Sequence, residues 1–384
     1  MMTSQNLSLA KAEWYGADPE DWLGYVIDVH FDPRWGSPYW LGRQRELGLN
    51  VRREIKTVED LQRLGPMPEE DLRRFPVELF IPKCLIDNKT SLMLGESAGT
   101  TGSPKVTAYL YEEFYPVFVD WFGVVAERRG FPKGCNWLWL GPSGPHIIGK
   151  AVGLVAKRME SMDPFSIDFD PRWVKKLERN SVGYHRYIEH LMEQALNLIT
   201  AQEIGVIFAT PPILLELAMR MPEEKRCSIK GIHYGGMAIE KGLFKRFKEE
   251  LFPNAVHISG YGNTLFGLSL EVEDSPNFDL DYYPFGPRML IQVVAIKKDD
   301  QGQPEELPQT ARERLSQIVD YGEEGQIVFH RLDKSFFIPN MLERDKGIRI
   351  APSPAAESLG ATLDGVRNPR VLEKFENKVK VGLY

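Results

Sequence analysis

Cysteine is scarce in this sequence: Cys84, Cys135 and Cys227 are the only three in 384 residues, and no two form a C-x-x-C pair. So odd and scattered a set excludes a disulfide framework and a cysteine-built zinc site, and fits reduced thiols in a cytoplasmic protein. Excess positive charge is lacking too. Forty-seven Lys and Arg against 54 Asp and Glu leave a net charge of -7, which argues against nucleic acid as a main partner, because phosphate backbones select basic surfaces. No apolar run approaches the ~20 residues of a membrane span. The opening stretch MMTSQNLSLAKAEWYGADPEDW carries acids where a signal peptide has an apolar core. Finally, no G-x-G-x-x-G follows a strand with an acid downstream, which excludes a dehydrogenase dinucleotide site.

What is present is a soluble globular pattern, 43% hydrophobic and 26% charged, long enough to bury a sizeable core. The first ninety residues are rich in Trp, Tyr and charge, with short helices expected at 57–63 and 68–74, the first opened by a Thr57/Asp60 variant of the capping box. SLMLGES reads as a strand, and YEEFYPVFVDWFGVVAERRG as a helix ending on Gly130. NWLWLGPSGPHIIGKAVGLVAKRME, GVIFATPPILLELAMRM and IKGIHYGGMAIEKGLFKRFKEELF each read strand, loop, helix, and NAVHISGYG adds a further strand. That alternation predicts an α/β fold with a largely parallel sheet, whose ligands sit outside the C-terminal strand ends. Beyond residue 287 the pattern turns to antiparallel strands around a polar insertion at 298–316, as in a small β-rich subdomain. FDPRW occurs at 31–35 and again at 169–173, a pair of similar Asp-Pro turns or a coincidence.

One loop stands apart: ESAGTTGSPK, residues 96–105. Thr100, Thr101 and Ser103 offer hydroxyls, Gly99 and Gly102 let backbone N–H groups approach an anion, and Lys105 adds a cation. The Walker A spacing cannot be laid on it. A flexible Gly/Ser turn is the alternative.

The loop resembles the phosphate-binding loop of the acyl-adenylate-forming superfamily, [ST]SGTTGxPK, with Ala98 where Ser is usual. In the family's order follow HYGGMAI (233–239), similar to its adenine-contacting segment, ISGYGNTLFG (258–267), similar to its YGxTE motif, and GEEGQIVFHRLDKSFFIPNMLERD (322–345), similar to the stretch ending in its ribose-binding Asp. The opening YWLGRQRELGLNVRREIKTVEDLQRLGPMPEEDLRRFP resembles the phenylacetate–CoA ligase branch; the likeness spans about residues 38–345. The resemblance implies the α/β large N-terminal domain of the adenylate-forming fold, with mostly parallel sheets flanked by helices. Residues 1–90 would be its helical and extended opening, 91–286 the nucleotide- and acyl-binding core, 287–345 the β-rich subdomain and 346–384 a short tail.

It also implies site roles. Ser97, Gly99, Thr100, Thr101, Gly102, Ser103 and Lys105 would hold the phosphates of ATP. Gly235, Gly236 and Met237 would flank adenine, with Tyr261 stacked on it and Gly262 beside it. Thr264 would touch the α-phosphate, and Asp345 the ribose. His146 is the candidate for the acyl carboxylate, with Trp139 and Phe208 as walls and His233 as a comparable candidate. Each has a structural alternative: a core aromatic, a tight turn, a structural histidine or a solvated acid. Lys105, Thr264 and His146 would be the catalytic set.

Two departures stand out. The family's Mg²⁺-binding Glu is here Leu265, and a hydrocarbon cannot ligate a hard cation. Glu240 and Glu271 are near in sequence, and Met237 stands where the phenylacetate branch has an acid, so the metal ligands are unassigned. Only 39 residues follow Asp345, too few for the family's C-terminal domain and its catalytic Lys, for which Lys378 and Lys380 are conceivable stand-ins. The arrangement resembles the acyl-protein synthetases of luminescent bacteria. The expectation is thus ATP-dependent activation of an aromatic or hydrophobic carboxylic acid, with Mg²⁺, releasing pyrophosphate and passing the acyl group to a protein partner or another non-CoA acceptor. The alternative is a degenerate homologue that binds nucleotide, acyl compound or partner without turnover. The oligomeric state is open, a homodimer included.

Overall fold

A computed structural model of the chain describes residues 12–97, 99, 103–174, 176–178, 181–296 and 312–372. Eleven strands form one sheet, and two more form a separate hairpin. The hairpin pairs β1 (Leu92–Glu96) with β2 (Val106–Leu110), antiparallel, from Leu92 opposite Leu110 to Glu96 opposite Val106. The loop at 97–105 is therefore a hairpin connection. Its neck is closed twice: Ser97 N donates to Lys105 O at 2.9 Å, and Lys105 N donates to Ser97 Oγ at 2.8 Å.

The parallel half of the sheet contains β3 (Asn136–Gly141), β4 (Phe165–Asp168), β5 (Ile204–Ala209), β6 (Gly231–Tyr234) and the start of β7 (Val256–Asn263), in the order β4-β3-β5-β6-β7. Every residue of β5 and β6 is buried, as befits strands covered on both faces. Helix Ile147–Arg158 packs against β1 and β3, and Val182–Ala201 against β4. The latter buries Ile188, Leu191, Met192, Ala195 and Ile199, an apolar stripe at helical spacing, and Ser181 Oγ caps its start by accepting from Tyr184 N. The helical run 111–129 opens into a wide π-helical turn over Pro116–Asp120, where Pro116 lacks the N–H of a regular turn, and ends at Gly130 with φ +67°.

β7 is the pivot of the sheet. Its first half, Val256 to Ser259, pairs in parallel with β6; its second half, Gly260 to Asn263, pairs antiparallel with β8 (Gly267–Glu271). From there the antiparallel half continues through β9 (Asp281–Tyr283), β13 (Gly365–Val371), β12 (Phe337–Ile350), β11 (Glu324–Leu332) and β10 (Met289–Val294). Gly262 has no alternative at the pivot: a Cβ there would lie 2.1 Å from the carbonyl oxygen of Gly267. The N-terminal helices lie against the same half, where Trp22 Nε1 donates to Leu332 O at 2.7 Å and Trp40 Nε1 to Phe337 O at 3.1 Å.

Both FDPRW copies form the same local turn. Asp32 Oδ1 accepts from Arg34 N, and Asp170 Oδ1 accepts from Arg172 N, each at 2.8 Å. Phe31 and Phe169 are buried; Trp35 and Trp173 are exposed. The Thr57/Asp60 pair is reciprocal, with Thr57 N donating to Asp60 Oδ2 and Asp60 N to Thr57 Oγ1.

A buried ionic network locks the β7–β8 turn. Asp333 takes Arg288 Nε at 2.6 Å and Nη2 at 2.7 Å, and Arg331 Nε at 2.5 Å. All three side chains are at most 1% exposed. Burial would push the Asp333 carboxyl up, but the two guanidinium groups hold it below the ordinary carboxylate range. Replacing Asp333 by Ala leaves two unpaired buried cations, so urea unfolding should show a loss of about 3–5 kcal/mol. Glu46→Ala, which removes the partly exposed Arg43–Glu46 pair, should change stability by less than ~1 kcal/mol. Equal effects of the two substitutions would contradict the network's role.

Candidate functional site

A cavity of about 650 Å³ opens at the C-terminal ends of β3, β5, β6 and β7, with β12 and β13 as its opposite wall. That is where parallel α/β sheets place their ligands. One end is apolar, the aromatic cluster of Trp139, Phe208 and His233, and Phe118, Ile147, Ile239 and Leu268 add further apolar lining. The other is polar and holds Arg73, Lys105, Asn263, Thr264, Glu343 and Asp345.

Most residues singled out in the sequence converge here. Ser97, Gly99, Lys105, His146, Gly235, Gly236, Met237, Gly262, Thr264 and Asp345 all line the cavity. Thr100, Thr101 and Gly102 lie outside the described residues, as do Lys378 and Lys380. Ser103 contributes its carbonyl, which accepts from Arg73 Nε at 2.9 Å. Tyr261 packs beside Phe266 and Tyr282, and its hydroxyl donates to Asp345 Oδ2 at 3.0 Å. Burial pushes the Asp345 carboxyl above its ordinary value, against the pull of that bond and of Arg344.

Thr264 sits in the β7–β8 turn. Its Oγ1 donates to Glu96 O at 3.3 Å, which joins the turn to the start of the 97–105 loop. Asn263 shapes the turn: its Oδ1 accepts from Leu265 N at 2.8 Å and Phe266 N at 3.3 Å. That fixes which end of the amide faces outward, and Nδ2 donates to Glu343 Oε1 at 2.9 Å.

Lys105 is engaged in this geometry. Its Nζ donates to Glu69 Oε1 at 2.8 Å, and Arg73 Nη2 donates to the same oxygen at 2.6 Å. Burial raises the Glu69 carboxyl, but Lys105 and Arg73 bring it below the ordinary range. The two cations therefore stand at the base of the loop, sharing Glu69, with Glu70 as a second partner of Arg73.

At the apolar end the Trp139 and Phe208 rings lie 4.4 Å apart between centroids. The Trp139 indole folds back over Gly141, where a Cβ would meet the ring at 2.1 Å. His146 is buried immediately before helix Ile147–Arg158. His233 packs between Phe208 and Phe122, with its Nδ1 donating to Ile258 O at 2.9 Å. Burial lowers its pKa to about 4, so the ring is neutral, with Nε2 as a lone-pair acceptor. The ring lines the cavity beside Phe208 and so adds to its aromatic wall.

The metal question divides cleanly. Leu265 is 1% exposed and offers no oxygen. Glu271 lies outside the cavity wall, 3.7 Å from Arg129 and accepting from Ser259 N, so its nearness in sequence does not become nearness in space. Glu240 is exposed on the wall after β6. Among the described residues no cluster of three or more His, Cys, Asp or Glu is arranged to hold a metal ion. Glu343 was not singled out in the sequence reading, nor were Arg73, Asn263 and Arg344. Glu343, Arg344 and Asp345 all reach the cavity because β12 is irregular there, its register shifting between Lys346 and Leu342, which simple alternation along a strand does not announce. Arg73 had no signal beyond its i,i+4 spacing from Glu69.

The fold is that of the N-terminal domain of adenylate-forming enzymes, a mixed α/β architecture with a large sheet flanked by helices. The solved structures it is similar to include 2-hydroxyisobutyryl-CoA ligase in the postadenylation state in complex with R3-HIB-AMP, with a TM-score of 0.58 and 14% identity over 92% of this chain and 65% of that one. The same ligase with 2-HIB-AMP and CoA in the thioesterification state gives 0.55 and 15%, over 92% and 66%. The chain thus spans about two thirds of the ligase's length, and at such identity the likeness is one of fold. No protein-family model matches the sequence, and neither does any curated protein.

His233 supplies a test of the site's electrostatics. Its folded pKa of about 4 lies below the ordinary 6.5, so the stability that depends on it is whole above pH ~6.5 and is lost as pH falls toward 4. Relative to His233→Phe, the wild type should lose about 1.4 kcal/mol per pH unit between pH ~6 and ~4.5. Urea unfolding at pH 7, 5.5 and 4.5 measures this. The bond to Ile258 adds an offset common to all three, and a pH-independent difference would contradict the neutral assignment.

Proposed function

We propose that the cavity binds ATP at its polar end and an apolar carboxylic acid at its aromatic end, and joins them as an acyl-adenylate with release of pyrophosphate. The observation that carries this reading is the convergence, in one cavity, of the loop lysine Lys105, the turn residue Thr264 and the ribose candidate Asp345, facing the Trp139–Phe208 wall. On this reading residues 1–90, 91–286 and 287–345 act as one nucleotide-binding unit, since Arg73, Lys105 and Asp345 come one from each.

The chemistry follows from position. A carboxylate oxygen of the acid attacks the α-phosphorus of ATP, the bond to the bridging oxygen of pyrophosphate breaks, and negative charge gathers on that leaving group. Lys105 can move from Glu69 to the phosphates, and Arg73 keeps the loop in place through Ser103 O. Trp139, Phe208 and the neutral His233 hold the acyl body and exclude water, which strengthens every charge interaction inside. Thr264, at the polar end, and His146, also in the lining, orient the reacting groups. Mg²⁺, when bound, neutralises phosphate charge.

A pyrophosphate-release screen of aromatic and aliphatic carboxylic acids tests the proposal. Release should depend on both ATP and an acid, and Lys105→Met should slow it by about 100-fold, the scale of losing one donor to transition-state charge. Repeating the assay with and without CoA separates thioester formation from transfer to another nucleophile, the acceptor expected from the sequence. Thermal stabilisation by ATP with no release for any acid would favour the alternative of binding without turnover. No stabilisation would sink the ATP reading.

A further inference from the structure

We propose that Glu343, from β12, holds the divalent cation of the bound nucleotide, reaching from a neighbouring strand the turn whose own residue 265 has no oxygen to offer. This rests on reading the cavity as an ATP site. A carboxylate in a cavity that receives a triphosphate repels it unless a cation lies between them, and Glu343 lines the polar end with Lys105, Thr264 and Asp345. Magnesium is typically held by one or two carboxylates together with substrate phosphates, not by an all-protein cage. One well-placed carboxylate is therefore enough.

The other acids near the polar end are engaged or farther from the turn. Glu69, behind the lining, accepts from Lys105 and Arg73. Asp345 accepts from Tyr261 through Oδ2 and is the ribose candidate. Glu240 is exposed on the wall after β6. Glu343 is the acid tied to the turn itself: Asn263 Nδ2 pins its Oε1, one residue before Thr264, and Oε2 has no hydrogen bond among the described residues. Burial raises its carboxyl, while Lys105 and Arg344 pull it down. The amide cannot turn away, because Asn263 Oδ1 is held by Leu265 N and Phe266 N. The free oxygen is thus fixed beside the turn that would meet the α-phosphate. An independent sign of an anionic ligand lies next to it: Arg344 lines the same cavity, and its Nη1 is buried with no hydrogen-bond partner among the described residues.

Glu343→Gln tests this with little disturbance, since the Gln carbonyl can still accept from Asn263. Calorimetric titration of ATP into the full chain, with and without Mg²⁺, should show Mg²⁺ tightening binding to the wild type by about tenfold or more. In Glu343→Gln that increment should vanish, while metal-free ATP binds as tightly as before or tighter, one repelling charge being gone. The electron paramagnetic resonance spectrum of Mn²⁺–ATP should likewise show immobilised metal with the wild type only. Matching urea midpoints of the two proteins confirm folding. An unchanged Mg²⁺ increment in the variant overturns the assignment while leaving the ATP reading intact. ATP binding to neither protein under either condition overturns both.

Discussion

Three consecutive backbone carbonyls hold the site together. Thr264 O accepts from the Tyr109 hydroxyl at 2.9 Å, Leu265 O from Arg331 Nη1 at 3.0 Å and Phe266 O from Arg288 Nη1 at 2.9 Å. Arg331 also reaches Thr107 Oγ1 and Ala108 O in β2, and its guanidinium lies 3.6 Å from the centre of the Tyr109 ring. Asp333 orients both arginines. The turn after β7 and the hairpin that carries the 97–105 loop are thus fixed to each other through one buried carboxylate. A buried ion pair is seldom a large source of net stability. Here its clearest consequence is geometric, because it sets where the Thr264 hydroxyl stands relative to the base of the loop.

The same economy governs the polar end of the cavity. Lys105 and Arg73 would repel each other at the loop base without Glu69, and Glu69 would be costly to bury without them. Glu343 and Asp345 face them with carboxyls pushed up, chiefly by burial. Among the described lining residues the cations Arg73, Lys105, Lys241, Arg344 and Arg370 outnumber the carboxylates Glu240, Glu343 and Asp345. The cavity is therefore net positive, as suits a triphosphate, with its carboxylates confined to the walls after β6 and on β12.

Much of this was legible in the sequence, for identifiable reasons. The parallel strands are buried on both faces and so stand out as unbroken apolar runs, as in GVIFA, each closed by a turn-forming residue. Gly262 is demanded by a carbonyl 2.1 Å from where its side chain would be, which is why a glycine marks that motif. What could not be read was pairing at a distance. The loop's Gly, Ser and Pro are turn residues, but that Val106–Leu110 pairs back on Leu92–Glu96 was not announced by its own pattern. The pivot of β7 from parallel to antiparallel pairing depends on where β8 docks. Asn263 and Glu343 meet across 80 residues, and Arg73 meets Ser103 across 30; nothing local announces either contact. The burial of His233 between Phe208 and Phe122 was likewise invisible in the chain.

The most direct measurement is a crystal structure with a non-hydrolysable ATP analogue, α,β-methylene ATP. The expected result is adenine against Gly235–Gly236–Met237, the ribose at Asp345, and the triphosphate beside Lys105, with the Lys105–Glu69 pair opened. Analogue bound elsewhere, or a triphosphate that leaves Lys105 on Glu69, would contradict the account of this cavity as an ATP site.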